Sequence, residues 1–105
     1  MKAELLSDGT LLFWCEGCQT HHGPNVSPGR WSWNGDHERP TINPSVLVRG
    51  TKPLTEDEYQ RVMRGEAVQP TPLRCHSFVR EGRIEYLSDC THELAGQTRD
   101  LCPVR

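Results

Sequence analysis

Apolar and polar residues alternate along this chain in short runs. A period of two describes half-buried strands rather than helices. Leu5, Leu6, Leu11, Leu12 and Phe13 flank Asp8-Gly9, a two-residue turn signal, so residues 3–14 are expected to form a hairpin. Trp31-Ser32-Trp33 alternates aromatic with polar and reads as a short strand with both indoles on one face. Ser45-Val46-Leu47-Val48-Arg49 is a strand ended by Gly50. Arg74 to Asp89 reads as a second hairpin that turns at Glu81-Gly82. Its register sets Arg80 opposite Arg83 and Cys75 opposite Ser88.

One segment breaks the period. Residues 51–72 look inserted, with Thr55 and Glu58 spaced as a capping box. Tyr59, Val62 and Met63 then share a helical face, Gly65 stops the helix, and Pro70 and Pro72 return the chain to an extended path. Such a short helix must dock on the sheet or move. Residues 91–98 have room for one helical turn ended by Gly96, and residues 99–103 read as a tail. The expected fold is mainly β with one short helix, a small α+β domain. It is a zinc-ribbon-like pair of β-hairpins stapled by a metal, with residues 1–105 as one domain.

The staple is the chemistry of the chain. Phe13-Trp14-Cys15-Glu16-Gly17-Cys18 enters a Cys-x-x-Cys knuckle from an apolar run. That spacing aims two thiolates at one point about 2.3 Å from each sulfur, which suits Zn2+. Gly17 is expected there for its tolerance of positive φ. The second half of the site must come from Cys75, His76, Cys90 and His92. In the hairpin register Cys75 and Cys90 share a face and His76 takes the other. The expected ligands are therefore Cys15, Cys18, Cys75 and Cys90, with His92, His76 and His22 as alternates. Cys102 is left as a spare thiol. No internal repeat appears beyond the two hairpins.

Composition fits a stapled domain. Only 34% of the residues are hydrophobic and mean hydropathy is −0.67. A chain of 105 residues with so few aliphatics builds a thin core, which a metal offsets. Large rings then supply needed apolar area, so Trp31 and Trp33 are expected in the core rather than as a stacking platform. The net charge of −2 gives no footprint for non-specific nucleic-acid binding. No apolar run approaches the ~20 residues of a membrane span, and Met1-Lys2-Ala3-Glu4 does not open a signal peptide. Five cysteines without an export signal point to a reducing cytoplasm.

Five motifs carry a resemblance: Phe13-Trp14-Cys15-x-x-Cys18, Trp31-x-Trp33-Asn34-Gly35, Arg39-Pro40-Thr41-x-x-Pro44-Ser45-Val46-Leu47, Arg74-Cys75-His76-Ser77-Phe78-Val79, and Asp89-Cys90-Thr91-His92-x-Leu94-Ala95-Gly96-Gln97-Thr98. With them the chain resembles a family of small phage and prophage zinc-binding proteins. Members often carry the label ammonia monooxygenase, which a thiolate-rich ligand set does not support. Glu16 stands where similar sequences often have Pro. A phage origin implies the cytoplasm of a host cell and an anti-defence role.

Two functional classes follow. In the favoured one, four protein ligands close the zinc shell and the metal is structural. The protein is then a binding module for a host or phage protein, in one form an inhibitor of a host defence system. In the other it is a zinc-dependent hydrolase with an open metal site. Glu93, Asp89 or Glu16 would be its base, and His76 or His92 its proton shuttle. An ion pair of Asp89 with Arg74 across the hairpin is the structural account of that carboxylate. A nucleic-acid-binding zinc ribbon is the third reading.

Overall fold

A computed structural model describes residues 1–105. Its strands are β1 (Glu4–Leu5), β2 (Leu11–Cys15), β3 (Thr20–His22), β4 (Ser32–Trp33), β5 (Ile42–Thr51), β6 (Pro72–Arg80), β7 (Arg83–Tyr86) and β8 (Thr98–Asp100). One helix, α1 (Glu56–Met63), lies between β5 and β6. The strands form a three-stranded sheet in the order β1-β2-β3 and a five-stranded one in the order β4-β5-β6-β7-β8. Every strand pair is antiparallel. The fold is thus mainly β with one short helix, as the alternation dictates.

Both hairpins turn at the expected dipeptides, but only the second is a two-residue turn: around Asp8-Gly9, Leu5 pairs with Leu11 across a longer loop and Asp8 is not left-handed. Gly9 has φ 90°, while Glu81 and Gly82 have φ 50° and 78°. Two successive left-handed residues define the type I′ turn, and Arg80 pairs with Arg83 around it. Inward residues alternate as expected on β6, where Cys75, Ser77 and Val79 are buried and His76 and Phe78 face outward, half-buried. Across β5 and β6 the register slips. Ile42 pairs with Val79 and Val46 with Ser77, so four steps of β5 span two of β6. The extra residues bulge out at Asn43, Pro44 and Ser45. A bulge bends its strand and re-aims a side chain.

His21 and His22 lie in β3, paired with Trp14 and Phe13. Three local expectations need correction. Residues 99–103 are not wholly a tail, since Arg99 and Asp100 complete β8 with Thr98 and pair with β7, and 91–97 form bends and turns rather than a helix. Both added strands are three residues long, too short to show a period, and exist because a neighbouring edge is open to them. The β6–β7 ladder also ends at Tyr86, so Cys75 does not pair with Ser88.

The core is small. Seventeen residues are buried, centred on Leu11, Phe13, Ile42, Val79, Ile84 and Tyr86, with Trp31 and Trp33 packed against them. The capping box of α1 is complete, with Thr55 and Glu58 bonding each other's backbone N–H. Yet α1 buries none of its residues. Tyr59, Val62 and Met63 stay exposed, so the helix does not dock on the sheet. No helix is long and apolar enough to cross a membrane.

Candidate active site and metal centre

Two groups of side chains meet on opposite faces of β6. On the inner face, ligand atoms of Cys15, Cys18, Cys75 and His92 all lie within 4.8 Å of one another. The sulfurs of Cys15 and Cys75 are 3.8 Å apart, and His92 Nε2 is 3.4 Å from Cys75 Sγ. Tetrahedral thiolates about 2.3 Å from a metal stand about 3.8 Å apart, so these four residues are placed to hold one ion. The Cys18 N–H points at Cys15 Sγ over 3.3 Å, as a knuckle requires.

The electrostatics of this cluster call for a cation. The neighbouring Cys75 thiol donates to Cys15 and holds it well below the usual thiol range. Cys18 is pushed up by burial and by the Cys15 charge. Cys75 is pushed up by its bond to Cys15, then by burial. Three crowded thiols do not all ionise unless a positive charge joins them. Burial lowers the His92 imidazole, favouring the neutral form that can bind metal. Tyr86 Oη lies 3.4 Å from Cys15 Sγ and accepts the Gly17 N–H at 3.4 Å, so the core ties into the knuckle.

Gly17 matters for a reason other than the expected one. Its φ is not positive; the left-handed residue of the knuckle is Gln19, at 54°. A Cβ on Gly17 would instead collide with the His92 imidazole. Glycine is there for close approach.

Cys90, expected as the fourth ligand, stands outside the cluster, and His92 takes that place. The chain turns after β7, with the Cys90 N–H bonded to Leu87 O at 3.2 Å, so strand alternation stops at Tyr86. The Cys90 thiol is bonded at 3.2 Å to the backbone N and O of His76. Thr91 then bonds the backbone of Arg74, which swings His92 under the knuckle. His22 is 5% exposed and packs edge-on against Phe13 at 5.6 Å, with Nε2 unpartnered. It lies near enough to help lower the Cys15 thiol but is not among the four. Glu16 and Glu93 border an open hollow of about 540 Å³ beside His92. Neither carboxylate belongs to the cluster.

On the outer face, His76 Nε2 is 2.9 Å from Ser45 Oγ, and His76 Nδ1 is 3.3 Å from Asp89 Oδ2. With its proton on Nδ1, the imidazole donates to Asp89 and accepts from the Ser45 hydroxyl. That is a serine, a base and an orienting carboxylate in sequence. Each part is built locally. The β5 bulge presents Ser45, and the Trp31 Nε1–H donates to the Ser45 carbonyl at 3.0 Å. His76 comes from the outward positions of β6. Asp89 comes from the turn after β7, steadied by Arg74 Nη1 at 3.7 Å. The expected Arg74 pair exists, therefore, and does not keep Asp89 from His76. The sequence reading singled out His76 and Asp89 but missed Ser45. No nucleophile motif surrounds that serine, and only the β5–β6 pairing brings it to His76.

The fold and these two groups define a small β domain with a Cys3His cluster and a serine–histidine–aspartate constellation. The chain belongs to the BubE family, described as bacterial ubiquitination-like system serine protease, whose model matches residues 2–87. Ser45 and His76 fall within the match, while Asp89 and His92 lie just past it. No curated protein and no solved structure matches the chain.

Proposed function

We propose that the protein is a serine hydrolase acting on acyl bonds of a ubiquitin-like protein, with Ser45 as nucleophile, His76 as general base and Asp89 as the residue that orients it. The observation that carries this is the His76 imidazole bridging Ser45 Oγ at 2.9 Å and Asp89 Oδ2 at 3.3 Å. The family description, a serine protease of a bacterial ubiquitination-like system, supports the same chemistry, and the ubiquitin-like substrate is our inference from that system.

The steps follow from the geometry. Ser45 Oγ attacks the substrate carbonyl while His76 Nε2 takes its proton. The same nitrogen returns that proton to the leaving amine, and an acyl ester stays on Ser45. Water, activated by His76, then adds to the ester and releases a free carboxylate. Asp89 holds the Nδ1 proton and stabilises the transient imidazolium. An open hollow of about 340 Å³ is lined by Gly29, Arg30, Trp31 and Pro44; Pro44 precedes Ser45 in the chain and Trp31 bonds the Ser45 carbonyl, so we assign the hollow to substrate.

The reading assigns Zn2+ to the Cys15, Cys18, Cys75 and His92 cluster as a structural ion. Four protein ligands close a tetrahedral shell and leave no position for a metal-bound water. Hydrolysis is thereby taken from the metal and given to the opposite face of β6. The family name and the cluster also support a cytoplasmic protein of reducing surroundings, since three free thiols are needed for the ion.

Labelling with a fluorophosphonate tests the nucleophile. Wild-type protein is expected to gain one adduct, mapped to Ser45 by peptide mass spectrometry. Ser45→Ala and His76→Ala are expected to gain none. An unlabelled wild type, or an adduct at another serine, would overturn the assignment.

A further inference from the structure

The geometry points to a docking edge: the extended C-terminal tail of the ubiquitin-like substrate adds as an antiparallel strand to the open side of β5, over Val46 to Gly50. This inference rests on the serine hydrolase reading above.

β5 is ten residues long, but its two sides are used unequally. One side pairs with β6 from Val46 to Thr51. The other meets β4 at Ile42 and Asn43 alone. No backbone hydrogen bond outside the ladders reaches residues 44–51. Val46 to Gly50 is therefore a bare sheet edge of about 17 Å, at about 3.4 Å per residue. Such an edge is a template for another strand, and proteins usually cover or charge it. Here it begins at the residue after Ser45. A peptide that pairs with it delivers its next carbonyl to the Ser45 hydroxyl.

Direction follows from what already occupies the strand. β4 blocks the Ile42 end, so only one side of the scissile bond can lie on the open edge. An antiparallel peptide runs from the Thr51 end toward Ser45 and places its acyl side along Val46 to Gly50. The acyl side is the tail shared by all conjugates of one ubiquitin-like protein, whereas the amine side varies. The leaving amine then passes into the hollow at Arg30, Trp31 and Pro44. Antiparallel pairing is also the more stable arrangement per residue.

Two otherwise unexplained features suit this occupant. Leu47 is 39% exposed beside His76, with which it pairs, and gives an apolar contact for an alternate tail side chain. The folded body of the substrate is left at the Thr51 end. There the insert exposes Leu54, Tyr59, Val62 and Met63, apolar side chains that no part of this chain covers.

The test tethers a peptide at the nucleophile. The wild-type protein is treated with the diphenyl phosphonate of an N-acetylated penta-alanine, in which the terminal carbonyl is replaced by phosphorus, and in parallel with diisopropyl fluorophosphate. Both attach through Ser45 Oγ, and tethering raises the effective peptide concentration to about the millimolar range. Amide hydrogen exchange and cross-strand nuclear Overhauser contacts are then read by NMR. Alternate amides among Val46 to Gly50 are expected to exchange at least tenfold more slowly in the peptide adduct than in the small one. Contacts are expected to move from Val46 toward Gly50 as peptide residues lie farther from phosphorus. An adduct at Ser45 with unchanged exchange, or with contacts in the reverse order, overturns the docking edge and leaves the hydrolase standing. Absence of any Ser45 adduct overturns both.

Discussion

Asp89 and His92 are three residues apart on one turn, yet they face two different sites. The Asp89 carboxylate is 3.3 Å from the His76 imidazole, and the His92 imidazole is 3.4 Å from the Cys75 sulfur. Cys90, between them, is bonded to the backbone of His76. The metal centre and the candidate catalytic groups each take one residue from this short stretch of chain, which links them.

Asp89→Asn should separate orientation from folding. The amide keeps the size of the side chain but favours the wrong imidazole tautomer. Turnover is expected to fall about 10³- to 10⁴-fold, as for the aspartate of other triads. Thermal stability is expected to change little, because the Arg74 pair it weakens is exposed, at 45% and 39%, and such pairs contribute up to about 1 kcal/mol. Parallel rates and melting curves check both.

Removing the metal should cost both fold and activity. One zinc per chain is expected by elemental analysis, with three sulfurs and one nitrogen at the zinc edge in X-ray absorption. A strong chelator is expected to unfold the domain cooperatively, since bound zinc contributes on the order of 10 kcal/mol in small metallo-domains. Seventeen buried residues make a poor substitute. In partial chelation, loss of Ser45 labelling is expected to track loss of metal, because the turn that carries Asp89 is anchored through His92. A zinc-bound water in the absorption spectrum would contradict the closed shell.

Gly17→Ala addresses the metal site without touching a ligand. The added methyl occupies the place of the His92 ring, so either the knuckle or the imidazole must move. A 10- to 100-fold loss of metal affinity is expected, about the range seen when groups that orient ligands are altered. Competition with a chromogenic chelator measures it. Gly35→Ala is the control for glycine loss in general: a methyl at Gly35 meets nothing, although its φ of 80° adds strain.

The sequence by itself determined the longer strands and most of the metal site. Asp8-Gly9 and Glu81-Gly82 specify their turns through local backbone preference, and Thr55 with Glu58 specifies the start of α1. Cys15 and Cys18 declare themselves because knuckle geometry is local to the Cys-x-x-Cys stretch. Tertiary structure decided what depends on distant segments. Whether Cys90 or His92 completes the cluster rests on a turn at Ser88 and Asp89 that strand alternation does not foresee. β3 and β8 are too short to carry a period and form only because an edge awaits them. Ser45 is the clearest case. Nothing near it in the chain differs from an ordinary serine in a strand, and His76 is 31 residues away. A bulge in β5 and its pairing with β6 bring the two within hydrogen-bonding distance, because hydroxyl and imidazole acquire their chemistry from contact in space and not from spacing along the chain.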